Sequence, residues 1–396
     1  MKRPRLIVAR GKEKALQRRH PWLFSGAVCR TEGAPQEGDL VDVVDADGHW
    51  LATGHYQNES IICKVLSYDT PDVGEDFFRS RLMSAIAYRH RMGLDHGDTN
   101  VYRMVHAEGD NLPGLVCDWY NGVLVMQAHS VGMHRLFLLF TDIFRQLLGN
   151  RLLAVFDKSS STVPGGATDR YLWGIEPQEH EVTENGVSML INFYEGQKTG
   201  FFIDQRENRK LVQELARGHR VLNCFGYTGG FSLAALRGGA EFVETVDISK
   251  KAIELCNRNV QMNFGTDAPH RGTVADVLHY LQPTSGGEGQ GARPDFIILD
   301  PPAFAKNHRS LQQGLKGYRS INQRAMEALP EGGLLMTFSC SQAVSRDDFQ
   351  TMIFTSAISA GRRVRIVRQL PHAADHPVSV YHPEGEYLKG LLLQVE

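Results

Sequence analysis

Two short apolar runs in the last third of this 396-residue chain each end in a side chain able to do covalent or proton-transfer chemistry. Phe296-Ile297-Ile298-Leu299 leads into Asp300-Pro301-Pro302-Ala303-Phe304, and Leu334-Leu335-Met336-Thr337 leads into Phe338-Ser339-Cys340-Ser341. Both runs are bounded by turn residues and read as interior strands buried on two faces. Open α/β sheets keep their chemistry at such strand ends. Cysteine is intrinsically nucleophilic, and a carboxylic acid beside it can give or share a proton. The bland alternative for Cys340 is a small core hydrophobe.

A second constellation lies upstream. Val221-Leu222-Asn223-Cys224-Phe225 runs into Gly226-Tyr227-Thr228-Gly229-Gly230-Phe231-Ser232, then a helix, then a strand ending at Asp247. Small residues at such a turn let a cofactor approach backbone, and a carboxylate about twenty residues further on can accept hydrogen bonds from both hydroxyls of an adenosine ribose. The spacing is Gly-x-x-Gly-Gly, not Gly-x-Gly-x-x-Gly, so the close pyrophosphate packing of a dinucleotide is not expected, which disfavours a nicotinamide-dependent oxidoreductase. S-adenosylmethionine fits better, having ribose, adenine and a reactive sulfonium but no phosphate. Asp276, after the third strand, would meet the adenine amino group. The candidate cofactor contacts are Gln205, Phe225, Gly226, Tyr227, Gly229, Asp247, Ile248, Asp276 and Asp300.

Strict strand and helix alternation positions these residues. The expected strands are Val221 to Phe225, Phe242 to Asp247, Gly272 to Ala275, Phe296 to Leu299, Leu334 to Phe338, Val364 to Gln369 and Tyr387 to Leu393, a doubly wound α/β sheet. A glycine-rich loop, Ser285 to Gly291, separates the third from the fourth. Ahead of this region, Leu6 to Asp69 alternates short β patterns with turns, including the hairpin signal Asp47-Gly48, and carries a basic helix near Lys12 to Arg19. Thr70-Pro71-Asp72-Val73-Gly74 reads as a linker, followed by a basic helix from Phe77 to Met92. A compact α+β stretch follows, with strands Leu115 to Asp118 and Val123 to Ala128, a helix near Met133 to Leu148 and a strand at Leu153 to Lys158. The expected domains are 1–75, 76–184 and 185–396.

Composition bounds the setting. The net charge is −2 and hydrophobic residues make up 42%, enough for sizeable cores. Charge is uneven, however: the start of the chain carries Lys2, Arg3, Arg5, Arg10, Lys12, Lys14, Arg18 and Arg19 against Glu13 alone, a patch able to attract phosphate. The six cysteines are scattered, without disulfide-scaffold density or zinc-site spacing, so reduced thiols and no metal are expected. No run approaches transmembrane length and no signal peptide is apparent, which points to a cytoplasmic protein with no membrane partner.

The amino-terminal stretch resembles the PUA family of RNA-binding domains, through His20-Pro21-Trp22-Leu23-Phe24 and Gly38-Asp39-Leu40-Val41 with Gly48 and Gly54. From about Gly186 to Glu396 the chain is similar to the class I methyltransferase fold, Rossmann-like and seven-stranded, parallel except for one late antiparallel strand, here Tyr387 to Leu393. With Lys198-Thr199-Gly200-Phe201-Phe202-Ile203-Asp204-Gln205-Arg206 added, the whole chain resembles the bacterial family of large-subunit ribosomal RNA cytosine-C5 methyltransferases called RlmI. The resemblance implies that Cys340 bonds transiently to carbon 6 of a cytosine and that Asp300 serves ring nitrogen 3. Many such enzymes release product with a second cysteine after the proline loop; here Ala303-Phe304 stand in that place.

Phe304 is then a candidate stacking surface for a flipped base. Arg5, Lys12, Lys14, Arg18, Arg19, Lys306 and Arg309 are candidate RNA contacts, with ribosomal RNA, naked or in an assembling particle, as the partner. His382 and Glu386 are candidate neighbours of the same site. Two other readings stay open: direct methylation of a guanine or adenine nitrogen on the same fold, which needs no thiol, and a non-catalytic RNA-binding ribosome-assembly factor.

Overall fold

The apolar runs ending at Asp300 and Cys340 become neighbouring strands in a computed structural model of the chain, which describes residues 3–95, 97–163, 165, 167–177, 179–282, 293–305 and 307–396. The glycine-rich loop 285–291, Lys2 and Lys306 lie outside the described residues. The chain divides into two compact units: Met1–Thr183 with Ile191–Ile203 and Ala374–Gly385, and Glu184–Leu190 with Asp204–Ala373 and Glu386–Glu396.

The second unit holds the doubly wound sheet. Its strands are β1 Arg220–Cys224, β2 Phe242–Asp247, β3 His270–Val274, β4 Phe296–Leu299, β5 Gly333–Ser339, β6 Val364–Leu370 and β7 Lys389–Val395, in the order β3-β2-β1-β4-β5-β7-β6. The first five run parallel, with Cys224 beside Leu299 and Leu299 beside Thr337. β7 is antiparallel to both β5 and β6, as the late strand was expected to be, although it runs two residues further along the chain than predicted. Leu222, Leu299, Leu335, Leu391 and Leu393 pack with Tyr318, Ile321 and Ala325 of the helix Leu311–Ala328. At about 1.5–3 kcal/mol for each fully buried large side chain, this packing fixes where the strands end.

β3 starts two residues earlier than its apolar text indicates. His270 and Arg271 look like loop residues, but Arg271 pairs with Glu244 of β2 at 2.6 Å and Thr273 donates to the same carboxylate at 2.7 Å. Cross-strand pairing thus extends a polar edge strand that hydrophobicity does not mark.

In the first unit, Arg5–Val8, Trp22–Phe24, Val28–Glu32, Leu40–Val44, Trp50–Tyr56 and Ile61–Ser67 form a six-stranded sheet around Leu6, Val8, Leu23, Val41, Val43 and Cys63. The Asp47-Gly48 turn joins Leu40–Val44 to Trp50–Tyr56 as expected, with Gly48 at φ 89°. The basic helix is a correction: it spans only Lys14–Gln17, a single turn anchored by Leu16. A second sheet has five strands, in the order Arg170–Gly174, Ala154–Asp157, Val123–Ala128, Leu115–Tyr120 and Val101–His106. Arg170–Gly174 was not anticipated. It is an edge strand whose Trp173 lies under the Arg145 guanidinium at 5.0 Å.

Ala374–Gly385 joins this unit through specific bonds. The Arg89 guanidinium, 1% exposed, donates to the Asp375 carbonyl at 2.7 Å, and the Arg103 N–H donates to the Asp375 carboxylate at 2.8 Å.

Candidate active site

Asp300 and Cys340 leave β4 and β5 on the same edge of the sheet, and hydrogen bonds join the turns that follow. The half-buried Cys340 donates its thiol proton to the Pro301 carbonyl at 3.7 Å, so the sulfur lies against the loop that starts at Asp300. The Ala305 N–H donates to Ser341 Oγ at 3.1 Å, and Ser341 Oγ shares a 2.8 Å hydrogen bond with the Tyr318 hydroxyl. Burial raises the pKa of Tyr318, keeping the phenol protonated and able to donate. Pro301 and Pro302 fix φ between these anchors.

Cys340 differs from its unit's other thiols. Cys224 and Cys256 are fully buried, and burial pushes both up, Cys256 to about 11. Such thiols are unreactive core groups. Cys340 alone in this unit meets solvent.

Lys389, which the motif reading passed over, completes the surroundings of Cys340. It opens β7 opposite Ser339, is 4% exposed, and its Nζ donates to the carbonyls of Ser341 and Tyr387, each at 2.7 Å. The only trace in the sequence is a lysine opening an otherwise apolar strand.

The glycine turn after β1 has an unusual backbone. Phe225 and Tyr227 have φ of 59° and 46°, a region costly for bulky residues and found mostly at functional sites. A Cβ at Gly226 would collide with Thr245 and one at Gly229 with Cys256 Sγ. These glycines therefore let the turn and the following helix Gly230–Arg237 settle onto β2 and the helix Lys250–Phe264.

Asp247 ends β2, accepting from the Tyr227 N–H at 2.9 Å and the Ser249 N–H at 2.8 Å through separate oxygens. Each oxygen keeps a lone pair for a ribose hydroxyl. Beside it Ile248 is 72% exposed, an apolar face at the edge where an adenine would lie. Asp276 is exposed after β3 and accepts from the His279 N–H at 3.0 Å. These acceptors suit the ribose hydroxyls and the amino group of an adenosine without phosphates. Gln205 is buried, its carbonyl oxygen taken by Asn208 at 2.6 Å, so it braces the helix Arg206–Leu215.

Phe304 lies 4.7 Å from Tyr318 and 6.5 Å from Phe225, ring centre to ring centre, half-buried. Arg309 is exposed in the turn His308–Ser310. Glu386 is held by the Arg346 guanidinium, which keeps its carboxyl below the usual range.

Elsewhere, in the first unit, Arg5 is half-buried in its strand, and Lys12, Lys14 and Arg18 are exposed and unpaired among the described residues, whereas Arg19 pairs with Asp69 at 2.8 Å. His382 packs on Trp22 at 4.3 Å and His20 at 5.5 Å. With Glu384 these histidines are the one convergent group of three metal-competent side chains among the described residues, donor atoms within 4.8 Å of one another.

Residues 103–378 match the profile of the S-adenosylmethionine-dependent methyltransferase family, and residues 6–68 that of the PUA-like domain. A Klebsiella pneumoniae (strain 342) protein named Ribosomal RNA large subunit methyltransferase I is 38% identical over 403 residues, covering 99% of this chain and 98% of that one. A Streptococcus mutans protein described as a SAM-dependent methyltransferase superimposes with a TM-score of 0.84 over 98% of this chain and 99% of its own, at 23% identity. A methyltransferase complexed with SAH gives the same TM-score and coverage at 24% identity. At that identity the likeness is one of fold.

Proposed function

This chain belongs to the family of the ribosomal RNA large subunit methyltransferase I proteins and is an S-adenosylmethionine-dependent methyltransferase; from that premise we propose that it methylates carbon 5 of a cytosine in large-subunit ribosomal RNA through a transient bond from Cys340 to carbon 6. Carbon 5 of cytosine is too weak a nucleophile to be methylated unaided. The bound cofactor supplies an electrophilic methyl group on a sulfonium.

The chain's own residues must make the ring electron rich. The Cys340 thiolate adds its electron pair to carbon 6, and the displaced density reaches carbon 5 and nitrogen 3. Asp300, in its acid form, gives nitrogen 3 a proton, so that carbon 5 can form the new bond to carbon. A base then takes the carbon-5 hydrogen, the sulfur departs as thiolate, and nitrogen 3 returns its proton to Asp300. Because Ala303 and Phe304 follow the prolines, the base is something other than a second thiol on that loop.

The observation that carries this reading is the Cys340 sulfur lying 3.7 Å from the Pro301 carbonyl, on the loop that begins with Asp300. Asp247, Ile248 and Asp276 support the cofactor side, and Phe304 a stacked base. In this reading residues 1–75 hold RNA, 185–396 carry the chemistry, 76–184 position the substrate, and the protein works in the cytoplasm.

The test is transfer of labelled methyl to ribosomal RNA, supplied naked and as assembling particles, followed by mapping of 5-methylcytosine. With 5-fluorocytidine in the RNA, carbon 5 has no removable proton and a stable protein–RNA adduct should accumulate, absent in Cys340→Ala. Methylation that survives Cys340→Ala would reject the covalent route and favour direct transfer to a nitrogen. No transfer to either RNA form would leave an RNA-binding factor.

A further inference from the structure

Lys389 is a buried cation without a carboxylate. Two of its three N–H donors are satisfied by the carbonyls of Ser341 and Tyr387, and no acidic group lies within ion-pair distance of its Nζ among the described residues. Glu386, the nearest acid in sequence, is paired with Arg346; its charge raises the Lys389 ammonium less than that of Cys340 does, and Arg346 opposes it. Removing an ammonium from water costs several kcal/mol unless a negative charge compensates it. The two residues that Lys389 bonds or faces on the β5 side, Ser341 and Ser339, are the immediate neighbours of Cys340.

We propose that Lys389 is a positioning residue for methyl transfer: its ammonium is the counter-charge that stabilises the Cys340 thiolate when the sulfur loses its proton and with it the hydrogen bond to the Pro301 carbonyl. The proposal rests on Cys340 being the nucleophile. It explains why a lysine is buried in the strand next to β5, and why its reach ends on the residue after the thiol. Burial pushes the Lys389 ammonium down to about 8, and charge on Cys340 is the largest influence raising it again. Coupling between two sites is reciprocal, so the ammonium favours ionised sulfur by the same amount.

When the sulfur bonds to carbon 6 it loses its charge and the ammonium is left uncompensated; when the bond breaks, the returning thiolate restores the pair. One buried charge therefore assists both formation of the nucleophile and its release, on a loop without a second cysteine.

The experiment uses the full chain and reads the thiolate directly. Alkylation of Cys340 by iodoacetamide is followed by peptide mass spectrometry across pH 5 to 11 in the native protein, Lys389→Met and Lys389→Arg, with melting temperatures recorded alongside. The native midpoint should lie at least about one unit below the ordinary thiol value of about 8.5. Lys389→Met should slow alkylation at pH 7 at least about tenfold, one unit of pKa, and leave the rate at high pH unchanged. Lys389→Arg should stay within about threefold of native at pH 7, because the charge persists.

A native midpoint at or above 8.5 overturns the proposal, and it stands as a test even if Lys389→Met fails to fold. So does a folded Lys389→Met with the native profile, the result expected if the lysine only ties β7 to the turn. Methylation surviving in Cys340→Ala while Lys389→Met still shifts the alkylation profile would sink the covalent route and leave the ion pair standing.

Discussion

Cys224, Cys256 and Cys340 are one chemical group in three surroundings, and only the surroundings separate core thiol from nucleophile. The first two are fully buried and pushed toward the neutral form, whereas Cys340 sits half-exposed at a strand end, against the Pro301 carbonyl and on the turn that the Lys389 ammonium bonds. The cofactor side turns on a single residue in the same way. Ile248 is 72% exposed beside Asp247, and an apolar side chain left to water at a strand end is explained if a flat ring covers it. Covering about 60 Å² of apolar surface is worth about 1.5 kcal/mol, roughly tenfold in affinity. Ile248→Ser should therefore weaken S-adenosylmethionine binding about tenfold by calorimetry, with the melting temperature unchanged because nothing in the folded chain packs on it. Unchanged affinity would remove Ile248 from the cofactor site.

Elements carry chemistry by where they end, and the structure shows which ends the sequence marks. β4 and β5 are apolar runs, legible because both their faces are buried, and Asp300 and Cys340 follow from them. β3 is a polar edge completed by Glu244, distant in sequence, the strand Arg170–Gly174 is a short edge held by Ala154–Asp157 and the Arg145 guanidinium, and the left-handed Phe225 and Tyr227 belong to a turn packed on β2, so none of them shows in local text. Lys389 was overlooked because a charged residue opening a strand reads as surface. His55 gives the same lesson with a measurable consequence. In the strand Trp50–Tyr56 it is buried against Gly132, where a Cβ would strike its ring, and burial, with Arg135 and Lys64 nearby, pushes it from 6.5 to about 4. Above pH 6.5 the ring is neutral folded or unfolded and costs nothing. Between 6.5 and 4 the unfolded chain binds the extra proton, so stability falls with pH across that window, by roughly 3 kcal/mol at its acid end. Burial pushes His129 and His270 down to about 4 as well, so denaturant titrations at pH 7 and pH 4.5 should show a loss shared by the three rings, and His55→Leu should reduce it by about a third; an equal loss in the variant would place the acid sensitivity elsewhere.

At the scale of the whole molecule, net charge hides the feature that matters for a nucleic acid partner. The total is −2, yet the start of the chain is basic, and the structure sorts those charges into two kinds. Arg3, Arg10 and Arg19 are paired with Asp42, Asp47 and Asp69, at 2.9, 2.8 and 2.8 Å. Lys12, Lys14 and Arg18 project from the single helical turn and its flanks, exposed and without an ion pair among the described residues. A charge already matched by a carboxylate releases few counterions when a phosphate approaches, whereas an unmatched one releases its share, about 0.7 in the logarithmic salt slope per contact for a single strand. Replacing Lys12, Lys14 and Arg18 together by alanine should therefore lower the slope of log K against log salt for ribosomal RNA by about 2, measured by filter binding from 50 to 300 mM salt. Replacing Arg3, Arg10 and Arg19 should change it by less than 1. Equal effects from the two triple variants would mean that pairing within the fold does not select the RNA contacts, and an unchanged slope in the first would remove the basic turn from the RNA-binding surface altogether.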